Sequence, residues 1–212
     1  ISLGLVGSEM CIRDSHRIRR APDTRYRAVE QAPAGFPSSP EWRPVVVGAG
    51  PCGYFAALLL AQMGFRPLLL ERGQPVKERT LQTFGFWRGT RPFDPECNAQ
   101  FGEGGAGTFS DGKLYSQVSD PEHYGRKVLE ELVASGASNE ILTLHRPHIG
   151  TFKLATVVRG LRSRIESLGG EVRFGSRVDE LLLTSATDDK AFRLEGLRLA
   201  DGQRMALSLI HI

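Results

Sequence analysis

The chain has 212 residues, of which 41% are hydrophobic and 24% charged, the balance of a globular protein rather than a fibrous or disordered one. A net charge of +3 is too small to argue for nucleic acid. Three cysteines (Cys11, Cys52, Cys97), without a CxxC pair or metal-ligand spacing, fit a reducing cytoplasm and disfavour a disulfide framework or a zinc site. No apolar run approaches the roughly 20 residues that cross a bilayer.

Both ends read as foreign to the fold. Residues 5–15 (LVGSEMCIRDS) and 207–212 (LSLIHI) resemble translations of the two strands of the transposon-end DNA used to tag sequencing libraries, and one inverted repeat accounts for both. The first lacks the charged n-region of a signal peptide and carries Glu9. Residues 1–15 and 207–212 are therefore expected to be adapter-derived, and residues 44–206 to form one domain that is incomplete at its C-terminus. Residues 16–43 are polar and dotted with proline. They read as a linker from a truncated N-terminal segment, with Tyr26–Val29 as a short strand; the arginines clustered between Arg17 and Arg27 read as a solvated stretch.

Val45-Val46-Val47 leads into Gly48-Ala49-Gly50-Pro51-Cys52-Gly53, a Gly-x-Gly-x-x-Gly turn. A helical pattern follows, with Phe55, Ala56, Leu59, Leu60 and Met63 on its expected apolar face. A second apolar run, Leu68-Leu69-Leu70, ends in Glu71. This strand–turn–helix–strand–acid order is the dinucleotide-binding fingerprint. Gly48 permits the tight turn, Gly50 lets the backbone approach a pyrophosphate, and Gly53 lets the helix pack against the strand. The helix N-terminus offers N–H groups and a positive dipole end to phosphates. Glu71, roughly 20 residues on, is placed to accept ribose hydroxyls. The other reading is a glycine-rich turn of an unrelated α/β protein, with Glu71 merely solvated.

A short helix is expected over Val76–Phe84, with Arg72 and Arg79 near the nucleotide or simply on the surface. Between Gly102 and Gly112 five glycines fall among eleven residues. That composition suits a backbone wrapped around an anionic ligand, with Thr108 and Ser110 offering hydroxyls and Lys113 a cation. The order of a Walker loop is missing, and the interleaved Phe101 and Phe109 argue against a mere linker. Asp120-Pro121-Glu122 reads as a helix start, with Val128, Leu129, Leu132 and Val133 facing the core and Gly136 as the stop. His145 and His148, separated by Arg146 and Pro147, read as loop or core histidines rather than metal ligands. Leu154, Val157, Val158, Leu161, Ile165 and Leu168 form a helical stripe. Glu171–Phe174 reads as a third parallel strand. Val178–Leu183, Phe192–Leu199 and Arg204–Ala206 read as an antiparallel meander with turns at Asp188-Asp189 and Asp201-Gly202. The fold expected is a truncated Rossmann-like three-layer α/β domain, a parallel sheet with an antiparallel meander.

Together, Val45–Gly53, Glu71-Arg72-Gly73, the block Phe101–Leu114, Arg146–Thr151 and Leu168–Phe174 resemble the bacterial FAD-dependent dehydrogenases of the glutathione-reductase-like flavoprotein superfamily. The resemblance spans roughly Arg43 to Ala206, and the block Phe101–Leu114 is its specific part. It implies FAD as the tightly bound cofactor, in a three-layer FAD-binding fold. It also implies that Gly48, Gly50, Gly53 and Glu71, with the intervening Ala49, Pro51 and Cys52, hold the ADP half, and that Val178 lies near the adenine. Gly104, Gly105, Thr108, Ser110, Gly112 and Lys113 would approach the pyrophosphate or flavin. Cys52 departs from the pattern, where a small residue such as Ala is common. The activity implied is flavin-mediated hydride transfer to or from a small molecule, with NAD(P)H as a candidate electron donor. The readings that compete with it are an NAD(P)-binding domain of an ordinary dehydrogenase and a non-catalytic or RNA-modifying flavoprotein. The modest charge weighs against the last.

Overall fold

A computed structural model describes residues 22–185 and 192–207. Residues 1–15, most of 207–212 and the Asp188-Asp189 turn lie outside the described residues. Strand β1 (Val45–Val47) leads through the glycine turn into helix α1 (Pro51–Gln62), and β2 (Leu68–Leu70) follows. Helix α2 spans Val76–Trp87, α3 Tyr124–Ala134 and α4 Thr151–Ser167, after which comes β3 (Glu171–Arg173). The strands β4 (Val178–Ser185), β5 (Phe192–Leu199) and β6 (Arg204–Ala206) complete the described chain.

β1, β2 and β3 form a parallel sheet in that order, with Val46 opposite Leu69 and Leu69 opposite Val172. β4, β5 and β6 form the antiparallel meander. Strand alternation builds the layers. Leu69, with Val46 and Val172, faces a core of α1, α3 and α4 residues that includes Leu58, Leu132, Val157, Leu161 and Ile165. Leu68 and Leu70, with Val45, face the other way and pack on Leu197, Leu199 and Met205 of the meander. The result is the expected Rossmann-like order of helices, parallel sheet and meander. A parallel strand buried on both faces explains why β2 is an unbroken Leu run. Among the described residues no helix is long and apolar enough to cross a membrane.

Four local expectations are corrected. Helix α1 buries Tyr54, Ala57, Leu58 and Ala61, while Ala56 is exposed. The helix is apolar nearly all round, so periodicity cannot choose its face. Tyr26–Val29 forms no strand, and Val29 is exposed. Leu168, the last residue of the α4 stripe, is exposed past the helix end. Helix α3 begins at Tyr124 rather than beside Pro121. The Asp120 carboxylate still accepts from the backbone N–H of Tyr124 (2.9 Å) and Gly125 (2.7 Å), so the expected cap acts across a longer turn.

Candidate dinucleotide cleft

The glycine turn has the geometry that its spacing suggests. Gly48 adopts φ +96°, a left-handed conformation that strains any side chain. At Gly53 an added Cβ would stand 1.8 Å from the Gly48 carbonyl oxygen, so only glycine lets α1 sit this close to β1. Gly50 differs from both. Its φ of −76° suits any residue, and an added Cβ would meet nothing within 4 Å. Its missing side chain leaves open space rather than a protein contact. No side chain caps the N-terminus of α1 there.

That space belongs to a cleft of about 320 Å³ at the C-terminal edge of the parallel strands. Its walls include Gly48, Gly50, Glu71, Arg72, Gly105 and Val178 from the sequence-based set. Val47, Leu70, Gln100, Phe101, Gly102, Ser176 and Arg177 also line it, and that set lacked them. The edge beyond the carboxyl ends of parallel strands is where open α/β sheets bind ligands.

Glu71 is bound to the protein's own backbone. It is buried, and its carboxylate accepts from the backbone N–H of Ala49 (2.7 Å), Gly73 (2.8 Å) and Gly102 (2.9 Å). One side chain thus ties the glycine turn, the end of β2 and the glycine-rich loop together through charge-assisted bonds. It still borders the cleft.

Arg79 is corrected from a nucleotide contact to a support of the loop. It is fully buried, and its guanidinium donates to the carbonyls of Asn98 (2.9 Å), Ala99 (3.0 Å), Glu103 (2.6 Å) and Gly105 (2.7 Å), with a longer bond to Gly102 (3.3 Å). Burial pushes its pKa down to about 10, against the pull of Glu71 and Glu103. The loop wraps a cation of the protein's own. Gly102, at φ +117°, would put a Cβ 2.4 Å from Arg79 Cδ, so the density of glycine here partly serves Arg79.

Glu103 is the residue that motif reasoning missed. It is fully buried, accepts from Tyr54 Oη (2.9 Å) and the Val76 N–H (2.5 Å), and pairs with Arg162 Nε at 3.3 Å. It joins α1, the start of α2 and α4 to the loop. Burial and the Glu103 charge raise the Tyr54 phenol far above its ordinary range. The only local signal is an acid set among glycines, which does not reveal partners 27 and 49 residues away.

The remaining expected residues are dispersed. Ala49 is buried with its N–H on Glu71. Thr108 is buried and donates to the Glu103 carbonyl (3.0 Å). Ser110 donates to the Gly107 carbonyl (2.7 Å). Cys52 is exposed in the first turn of α1. Pro51, Gly104, Ser110, Gly112 and Lys113 border a second, apolar cavity of about 220 Å³ between the loop and α1, α3 and α4, not the first cleft. Lys113 Nζ lies 3.3 Å from Asp111. His145 and His148 are exposed on a loop, and among the described residues no cluster of three His, Cys, Asp or Glu is placed to hold a metal.

Behind two residues of the cleft wall, Glu96 accepts from Arg72 Nε (2.7 Å) and Arg177 Nη1 (2.8 Å), and Arg72 stacks on Phe101 at 4.1 Å. The Arg72 bonds, with Arg177, hold the Glu96 carboxyl below the usual range despite some desolvation.

No protein-family model matches the chain. An uncharacterized protein of Clostridium beijerinckii is 45% identical over 166 residues, covering 76% of this chain and 31% of that protein. The chain therefore spans about a third of the length of this curated relative. Among solved structures it is similar to THI4 of Thermovibrio ammonificans, with a TM-score of 0.46 and 18% identity over 74% of this chain and 47% of that one. It is also similar to a 3-ketosteroid-Δ4-(5α)-dehydrogenase of Rhodococcus jostii RHA1 in complex with 4-androstene-3,17-dione. That match has a TM-score of 0.46 and 17% identity, over 84% of this chain and 46% of that one.

Proposed function

We propose that this chain is the FAD-binding part of a flavin-dependent oxidoreductase, with the cofactor's ADP half in the 320 Å³ cleft. One observation carries the reading. Open space stands over Gly50 at the uncapped start of α1, on a cleft also bordered by Glu71 and Val178. Glycine at position 50 satisfies no internal demand, so its lack of a Cβ makes sense as room for an approaching phosphate.

In this reading the first turn of α1 donates N–H groups to the pyrophosphate, with the helix dipole favouring its charge. Glu71 Oε2, which accepts one backbone N–H, has a lone pair left for a ribose hydroxyl. Val178 and Arg177 border the adenine end. Gly102 and Gly105 form the opposite wall, held in shape by Arg79. Bound FAD would supply hydride chemistry, and this chain's part is to bind and orient it. NAD(P)H as the electron donor belongs to the same proposal.

The test is the visible spectrum of the purified chain after incubation with FAD and removal of free ligand. Retained flavin absorbance that NAD+ does not displace supports the reading. Saturable binding of NAD+ without any of FAD would replace it with the NAD(P)-domain reading.

A further inference from the structure

Two arginines stand beside Glu71 on the wall of the cleft. Arg72 follows Glu71 in the chain, and Arg177 precedes Val178. In a dinucleotide site, an arginine near the acid at the end of the second strand is the group that accommodates a ribose 2′-phosphate. Its planar fork matches the oxygens of a phosphate. Two such groups on one open cleft would make an anion site.

Here both are engaged by one carboxylate of the protein. Arg72 donates to Glu96 through Nε (2.7 Å) and Nη2 (3.0 Å). Arg177 donates to the same carboxylate through Nη1 (2.8 Å) and to Asp179 through Nη2 (3.2 Å). Glu96 is not part of the cleft wall. It borders an adjoining cavity of about 330 Å³ that shares Arg72 and Arg177 with the cleft, so it holds the two arginines from behind.

The backbone fixes Glu96 in that place. Asp94 Oδ1 accepts its N–H (2.8 Å). An added Cβ at Gly73 would stand 2.8 Å from the Glu96 carbonyl oxygen, so the glycine after Arg72 lets this segment come up against the end of β2. The side chains of Arg72, Glu96 and Arg177 are 33%, 34% and 39% exposed. Ion pairs this exposed add little to stability, so their larger effect is on the charge that the cleft presents. Glu71 acts in the same direction. Its carboxylate suits a ribose hydroxyl and repels a phosphate.

We infer that Glu96 is a specificity-determining residue of the cleft: it occupies Arg72 and Arg177 in the place of a 2′-phosphate, so that the cleft takes an adenosine diphosphate whose 2′-hydroxyl is free. The inference rests on the reading of this cleft as the site of an adenosine diphosphate group. It adds the means by which 2′-phosphorylated nucleotides are refused.

ADP-ribose and 2′-phospho-ADP-ribose differ only in the 2′-phosphate, and calorimetric titration of the purified chain with each tests the inference. The parent chain is expected to bind ADP-ribose at least about tenfold more tightly than its 2′-phosphate. Glu96→Gln keeps the size of the side chain and removes its charge. It is expected to raise affinity for 2′-phospho-ADP-ribose about tenfold, the worth of one charge-assisted hydrogen bond, and to change affinity for ADP-ribose by less than about threefold. Arg72→Ala or Arg177→Ala, added to Glu96→Gln, is expected to take back most of that gain, which a merely structural role of Glu96 would not produce. Glu96→Ala carries the same expectation and keeps the test open should Glu96→Gln fail to fold. Equal binding of the two compounds by the parent chain would overturn the inference. So would an unchanged ratio in the Glu96 variants, or a gain that neither arginine change reduces, and in each case the dinucleotide reading would stand. Binding of neither compound by the folded parent chain would overturn that reading and the inference with it.

Discussion

Gly50→Ala separates ligand space from protein packing. The added methyl meets no protein atom within 4 Å, and φ −76° is an ordinary value for alanine. Two small effects on stability oppose each other. Alanine is a poorer helix N-cap than glycine by a few tenths of a kcal/mol to about 1 kcal/mol. It also lowers the entropy of the unfolded chain by about 0.4–1 kcal/mol. The sum lies within about 0.5 kcal/mol of zero, a shift of no more than about 2 °C in Tm for a chain of this size. Binding tells another story. A methyl group over the first turn of α1 holds the pyrophosphate off the backbone, and one charge-assisted hydrogen bond is worth about 1.5–3 kcal/mol. Affinity for FAD should fall by roughly 10- to 150-fold. Thermal unfolding followed by circular dichroism and titration of FAD with fluorescence detection measure the two quantities. A variant that binds FAD as the parent chain does would refute the phosphate-approach argument, and one that unfolds would refute the geometry of the turn.

Three further outcomes follow from the same geometry. Gly53→Ala drives a Cβ to 1.8 Å from the Gly48 carbonyl, a backbone atom that no rotamer change can move, so it should lower stability by about 1–3 kcal/mol with or without ligand in denaturant unfolding. Arg79→Lys keeps the charge but not the planar fork that serves the carbonyls of residues 98–105, and it should cost about 2–4 kcal/mol and loosen that loop in hydrogen exchange. Burial alone would raise the pKa of Glu131, but bonds from Lys127 and Gln62, with Arg164 beside it, outweigh burial and hold the carboxyl below its ordinary range. A depressed folded-state pKa gives stability that is present above the unfolded value of about 4.3 and is lost as pH falls through the folded value. Unfolding free energy should thus decline on acidification below about pH 4.3, and Glu131→Gln should be less stable at neutral pH with a shallower acid slope.

Much of the fold was legible because its signals are local. The run Val45–Val47, the glycine spacing and the run Leu68–Leu70 each state their own conformation, and β1, α1 and β2 follow. The meander strands announced themselves by turn chemistry, as at Asp201-Gly202, where Gly202 takes φ +87° and Asp201 accepts from the Gln203 N–H. The shape of the cleft was less legible. Sequence spacing suggested Glu71 as a ribose acceptor but could not show that its carboxylate binds backbone of residues 49, 73 and 102. It suggested Gly102 to Gly112 as a backbone wrapped around an anionic ligand, while carbonyls of that loop accept from the buried guanidinium of Arg79, a cation. Arg79 and Glu103 reach partners some 20 to 50 residues away, and no periodicity or local propensity encodes such pairings. Lys113 carried a charge in a glycine-rich block, which said nothing of the side of the loop it would occupy.

The central claim is that the cleft over Gly50 takes FAD, and a calorimetric titration of the purified chain with FAD tests it most directly. The account predicts one saturable site per chain, weakened at least about tenfold by Gly50→Ala while Gly50→Ala remains folded. Binding of FAD that Gly50→Ala leaves untouched, or no binding of FAD by a folded chain that binds NAD+, would contradict it.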